Sequence, residues 1–324
     1  MSTKVALVRE PRRVAMHPKM RALRLWLAWL WLADAVLEAM PGVWSKAFYG
    51  HLPHTLMPSM LTETLESSHG VFRVAVAMMQ SLWNRAPYAA NGSLVCVELL
   101  LALSLGFSTS RRLTRTTLWV SFVLSVAIWV FGEGGGGLLS LQGTTYYAAF
   151  PGGAPFYAIL SYLLLSKKPV AMLQQGVAWL LIAYFGSMAV LQMLPGTGYW
   201  TVVGQQNIYG NTVYSSLPTI LSNPIAAYGE WAGLHPVFAN VLLILLLLLA
   251  GGCVLYRRRI FSFYIFAAIL LWTWWFAFAF GGIFTGLSTD VGTPPLLFIL
   301  GLFIWRGELL KSEHHSAQST KAKG

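Results

Sequence analysis

The chain has 324 residues, of which 56% are hydrophobic and only 10% are charged. An ordinary soluble domain carries about 25% charged residues; a soluble protein of this length could not hide so much apolar surface, so lipid is expected to solvate much of it. The formal net charge of +11 lies in short clusters between apolar runs, with no basic face and no nucleic-acid motif, which argues against a nucleic-acid partner.

Residues 1–22 form a basic N-terminal segment. The first apolar run, 23–41, contains Asp34 and Glu38, lacks an Ala-x-Ala site and ends in Pro41-Gly42. It therefore reads as a retained span rather than a cleaved signal peptide. A long connecting segment, 42–89, follows with His51, His54 and His69. His51-x-x-His54 has a spacing known from Zn or Cu sites, but Pro53 between the two argues against a helical pair, and no metal is assigned. Residues 70–83 place Val71, Val74, Ala75, Met78, Met79 and Leu82 near one side of a helix, as in a helix lying on a membrane surface or lidding a bundle.

Seven further runs approach the roughly 20 apolar residues of a spanning helix: 90–107, 115–133, 148–166, 171–194, 236–255, 260–280 and 290–305. The fourth and eighth of the whole set are the shortest, with Gly/Pro-rich outer ends. Gly134 to Gly137 lacks the preceding strand and the lysine of a nucleotide loop. Glycine there permits left-handed backbone and close approach beside Glu133; its match at Gly281-Gly282 favours a shared structural turn. Asp290 has no acidic neighbour in sequence and reads as an N-cap for the last helix. Trp272, Trp274 and Trp275 fit an interfacial aromatic belt. The polar tail 309–324 lacks periodicity and reads as disordered.

Orientation follows from Lys and Arg placement. With eight spans and a cytoplasmic N-terminus, 19 of the 22 Lys and Arg fall on the inner side, leaving only Lys46, Arg73 and Arg85 outside. The expected fold is an all-α polytopic protein of the cytoplasmic membrane, multi-pass, with both termini cytoplasmic. Cys96 and Cys253 then lie near opposite faces, there is no CxxC, and both read as small apolar helix residues. No histidine lies within a span, which argues against a b-type cytochrome.

The chain also repeats. Residues 95–145 recur as 240–290: Trp129 falls on Trp274, Phe131 on Phe276, and Gly136 and Gly137 on Gly281 and Gly282. Leu37 to Gly42 matches Leu191 to Gly196, and Ala86 to Asn91 matches His235 to Asn240. Two four-helix repeats, 23–168 and 169–308, are expected. Four helices per unit makes them parallel, related by an axis along the membrane normal.

Val97-Glu98-Leu99-Leu100 through Leu105-Gly106-Phe107-Ser108-Thr109 to Arg111-Arg112 resembles the helix and basic inner turn of the DoxX/DoxD-like superfamily of four-helix membrane proteins. The resemblance covers most of the chain; the second unit keeps Gly251 and Arg257 but has no acid in Val241 to Leu249. The superfamily includes a membrane subunit of thiosulfate:quinone oxidoreductase, a maturation factor for methylamine dehydrogenase and stress-linked proteins. It implies a membrane subunit or accessory of a quinone-linked redox system, with a redox or periplasmic protein partner.

Four acids lie at membrane depth: Asp34, Glu38, Glu98 and Glu133. Their counterparts in the second unit are Met188, Gln192, Leu243 and Phe278. Glu38 and Asp34 sit about one and two turns below the outer end of their helix, on one face. Glu98 sits about two turns down the next helix, and Glu133 ends the third. A charged group in a bilayer costs several kcal/mol unless paired, neutralised or solvated, so such residues are functional candidates. These four are the candidate catalytic residues, with Arg85, Asn91, Gly136 and Gly137 as candidate substrate-binding residues at the same level. The structural alternative has each acid capping a backbone group or pairing with Arg73 or Arg85. Three roles fit: proton exchange with a quinone, proton- or cation-coupled transport, and non-catalytic assembly or maturation.

Overall fold

The computed structural model of the chain describes residues 17–49, 56–137, 150–213 and 217–305. No strand occurs among the described residues. The helices in chain order are α1 (Pro18–Glu38), α2 (Lys46–Tyr49), α3 (Leu56–Ser67), α4 (Gly70–Arg85), α5 (Pro87–Phe107), α6 (Arg111–Ala127), α7 (Ala154–Leu165), α8 (Val170–Met193), α9 (Val202–Val213), α10 (Thr219–Leu234), α11 (Pro236–Leu255), α12 (Ile260–Phe276) and α13 (Thr293–Trp305). Their starts obey local chemistry. Proline, whose missing N–H costs nothing in a first turn, opens α1, α5 and α11. Ser110 caps α6 by accepting from the Leu113 N–H at 3.4 Å.

Among the described residues, four helices are long and apolar enough to cross a membrane: Pro87–Phe107, Arg111–Gly132, Val170–Met193 and Pro236–Leu255. These apolar helices make the chain a membrane protein by length and composition. The other four expected spans are not of that kind. α7, α12 and α13 are apolar but shorter, between 10 and 17 residues. α1 has 21 residues but carries Arg21, Arg24, Asp34 and Glu38. The shortening has a backbone cause. α12 ends at Phe276 just before Ala279, Phe280, Gly281 and Gly282 enter the left-handed region, with φ of 44°, 58°, 66° and 71°. Gly152 and Gly292, at φ of 100° and 78°, precede α7 and α13. Hydropathy does not register backbone handedness.

One hydrophobic core runs through both halves, from Leu23, Leu27 and Trp31 on α1 to Phe266 on α12 and Trp305 on α13. α1 packs on α5, α8 on α11, and α6 on α7. The two ends of the bundle differ in charge. At one end the Arg24 guanidinium donates to Ser108 O at 3.3 Å, Lys19 Nζ donates to Gln174 Oε1 at 3.3 Å, and Arg257 donates to Gln175 Oε1. At the other end α3 and α4 pack over the Gly134–Gly137 turn. α4 buries Ala75 and Val76 there and leaves Val71, Val74, Met78 and Leu82 exposed. α9 and α10 fill the corresponding connection of the second half, where the sequence shows no clear apolar period.

Four hydrogen bonds recur at matching positions of the two halves. Glu133 N–H donates to Ile128 O at 3.0 Å, and Phe278 N–H to Thr273 O at 3.2 Å, each closing a π-type step. Gly136 N–H donates to Glu133 O at 2.8 Å, and Gly281 N–H to Phe278 O at 2.7 Å. Trp129 Nε1 donates to Pro151 O at 2.9 Å, and Trp274 Nε1 to Val291 O at 3.0 Å. Asn91 Nδ2 donates to Glu38 O at 3.3 Å, and Asn240 Nδ2 to Gln192 O at 3.2 Å.

Gly136 sits at φ 62°, and a Cβ there would overlap Pro151 O. Gly136→Ala is therefore expected to cost about 1–3 kcal/mol. Gly176→Ala, where a Cβ meets nothing within 4 Å, should stay within about 0.5 kcal/mol of the parent. Thermal melting of the two variants in the same detergent checks the difference.

Candidate functional site

α1 presents Asp34 and Glu38, one helical turn apart on one face, to α5, which presents Asn91 and Glu98 two turns apart. All four side chains are buried. The Tyr157 hydroxyl on α7 donates to Asp34 Oδ2. That phenol is held by the Trp31 ring, whose centroid lies 4.7 Å away. Trp31 Nε1 in turn donates to Ser121 Oγ at 2.9 Å, and Ser121 pairs with Ser161 at 2.8 Å. Above Glu38, Trp44 Nε1 donates to Glu38 O at 2.9 Å and ties the α1–α2 turn to the site.

Glu133 follows the π-type step at the end of α6. Its Oε1 accepts from the Gly153 and Ala154 N–H groups at 3.1 and 3.2 Å, so it caps the first turn of α7 from a distance. Gly152 is required there, because a Cβ would overlap the Glu133 carboxylate. Asp290 Oδ1 accepts from the Gly292 N–H at 2.6 Å, ahead of α13, so it closes a local turn and is not the expected N-cap of that helix. It is also more than that. Asp290 acts electrostatically on Asp34, Glu38, Glu98 and Glu133 alike. Glu98 further feels Glu38 and Asp34. Five carboxyls, four from the first half and one from the second, therefore share one region.

Among the described residues, the charges that reach these carboxyls are other carboxyls, with no lysine or arginine among them. Each of Asp34 Oδ1, Glu38 Oε2, Glu98 Oε2 and Glu133 Oε2 is buried without a hydrogen-bond partner. So is the hydroxyl of Tyr49, beside Glu38, whose phenol is pushed up by burial and then by the Glu38 carboxyl. Asp290 combines two properties. Its side chain is exposed, yet protein encloses it enough that lost hydration pushes its pKa above the usual carboxylate range, with the Gly292 N–H opposing. Among the described residues, no three His, Cys, Asp or Glu side chains are grouped tightly enough to hold a metal ion.

The remaining candidates divide. Asn91 is inside the site, through its bond to Glu38 O. Arg85 is exposed as the last residue of α4, and Arg73 donates to Leu65 O at 3.4 Å; neither acts on the carboxyls. Gly136 and Gly137 form the turn behind Glu133 rather than a surface facing Glu98. His51, His54, His314 and His315 lie outside the described residues, as does the tail 309–324. Cys96 is exposed and Cys253 buried, both free. Sequence reasoning missed Asp290 and Tyr157. The usable signal for Asp290 was its place before the last helix, on the side of the bundle where α6 ends at Glu133; Tyr157 carries none beyond facing inward on α7.

No family model, no curated protein and no solved structure matches the chain. The fold and site together define a class: an all-helical membrane protein with a carboxyl cluster buried near the end of its bundle opposite the basic turns.

The raised pKa of Asp290 gives a signed expectation. The folded chain binds this proton more tightly than the unfolded chain, so stability falls as pH rises from the ordinary value of 3.8 through the raised folded value. Asp290→Asn, which keeps an acceptor for Gly292, should raise the melting temperature above that window and leave it unchanged below. Superimposable melting curves at neutral pH would contradict the enclosure of this carboxyl.

Proposed function

We propose that the chain is a duplicated, eight-span protein of the cytoplasmic membrane, both termini inside, whose carboxyl cluster exchanges protons near the extracytoplasmic face. In this reading it serves a quinone-linked redox system as a membrane subunit or accessory. The duplication is supported by the four recurring hydrogen bonds and by the left-handed turns at Gly134–Gly136 and Ala279–Gly282. Orientation is supported by the gathering of Lys19, Arg24 and Arg257 at one end of the bundle. α7, α12 and α13 complete the count of spans with help from the glycine-rich turns at their ends.

The observation that carries the functional reading is a set of buried carboxylate oxygens with neither hydrogen-bond partner nor basic counter-charge. A carboxylate in that setting costs several kcal/mol as an anion, and a proton removes the cost. Groups that take and lose protons in a membrane suit quinone chemistry, in which reduction consumes two protons and oxidation releases them. Quinone is the small molecule that the DoxX-like resemblance brings with it, and a redox partner protein would meet the chain at the carboxyl end.

A second reading, proton-coupled transport, is favoured by one observation. Asp290 comes from the second half and the other four carboxyls from the first, and transporters place coupling sites between their repeats.

Glu98→Gln and Glu38→Gln are expected to lower chain-dependent quinone reduction in membranes by about a hundredfold, the scale of a lost acid–base group. Retention of that activity in both variants would sink the redox reading. Proton flux into liposomes that contain the chain but no quinone, falling by a similar factor in Glu98→Gln, would instead establish transport.

A further inference from the structure

The two halves treat one helix contact differently. Between α8 and α11, Asn240 Nδ2 donates to Gln192 O at 3.2 Å and Gln192 Nε2 donates back to Asn240 Oδ1 at 2.7 Å. Between α1 and α5 the first bond recurs, with Asn91 Nδ2 donating to Glu38 O at 3.3 Å. The second bond needs a donor at the end of residue 38, where an ionised carboxylate has none and a protonated one has a single O–H. Glu38 is 5% exposed and Asn91 2% exposed, and Glu38 Oε2 has no partner. The first half thus keeps the amide-to-carbonyl bond, and the ionised Glu38 carboxylate has no donor to return.

We propose that Glu38 is the carboxyl of the cluster that stores the proton, and that Asn91 is the positioning residue that holds it there. A hydronium ion gives one proton to the Glu38 carboxylate and leaves as water; no electron moves. The new Oε–H donates to Asn91 Oδ1. α1 and α5 are then joined by the bond that Gln192 makes permanently between α8 and α11. The inference deepens the proton-exchange reading and rests on it only for its biological purpose.

The surroundings of Glu38 push in one direction. Asp34 faces it from its own helix, Glu98 from α5, Asp290 from the loop before α13, and Tyr49 from α2. Lys46 of α2 is exposed and does not act on it. Every titratable neighbour is an acid or a phenol. The ionised carboxylate is repelled and has no donor for Asn91 Oδ1, whereas the neutral acid is relieved and bonded. Low pH closes the contact and high pH opens it.

Infrared difference spectra of the full chain in nanodiscs, taken between acid and alkaline pH, test this directly. A hydrogen-bonded carboxylic C=O band is expected in the parent. It should be lost in Glu38→Gln and should shift to the position of an unbonded acid in Asn91→Leu. A band that survives Glu38→Gln, or that Asn91→Leu leaves unmoved, overturns the proposal. Hydrogen–deuterium exchange of the α1 and α5 turns around Glu38 and Asn91 needs only the parent and Glu38→Gln. Corrected for intrinsic rates, exchange should slow in the parent as pH falls and stay slow throughout in Glu38→Gln, whose amide reproduces the Gln192 bond. Parent-like pH dependence in that variant also overturns the proposal. Failure of the redox reading looks different: quinone activity retained in both Glu98→Gln and Glu38→Gln, with the Glu38 band behaving as described, removes the redox role and leaves the proton store intact.

Discussion

Carboxylates without counter-cations, placed where water is scarce, are the constraint around which the first half is organised. Each such ion costs several kcal/mol in a low-dielectric interior. The chain meets that cost piecemeal. Tyr157 donates to Asp34, the first turn of α7 donates to Glu133, and the Gly292 N–H donates to Asp290. One oxygen of each of Asp34, Glu38, Glu98 and Glu133 remains unsatisfied. Arg73 and Arg85 stay at the surface of α4, although an arginine is the simplest remedy for a buried acid. Those bare oxygens are the observation on which the proposed proton exchange rests.

The contrast between the halves sharpens this. On the proposed duplication, Gln192 occupies the place of Glu38, Phe278 that of Glu133, Met188 that of Asp34 and Leu243 that of Glu98. Gln192 and Asn240 close a neutral pair. The second half thus closes this contact without a carboxyl, whereas in the first half Glu133 holds the start of α7. Ala279 and Phe280 adopt left-handed backbone where Gly134 and Gly135 do so freely. Each non-glycine residue there costs on the order of 1–2 kcal/mol, an indication that the turn itself is what both halves must preserve.

Much of this was readable from residues alone. Proline at the first helical position, basic inner turns and apolar length gave the extent of α11 exactly as 236–255 and most of α5 and α8. The common height of Asp34, Glu38, Glu98 and Glu133 followed from which way each helix runs. Three things did not follow. Backbone handedness at Gly152, Phe280 and Gly292 shortened α7, α12 and α13, and hydropathy is blind to it. Asp290 joined the cluster through contacts between segments more than 150 residues apart in sequence from Asp34, Glu38 and Glu98. Arg85 had the right height and the wrong direction, since a helix lying across the end of the bundle sends its terminal residue outward.

The brevity of α7 has a mechanical consequence. Twelve residues make a helix about 18 Å long, against a hydrocarbon layer of about 30 Å. Lipid beside so short a segment must dimple inward or give way to polar loop. The missing length lies next to Glu133 and Tyr157, at the carboxyl end of the bundle. In the proposed eight-span arrangement, hydrophobic mismatch there would bring the aqueous boundary down toward the acids.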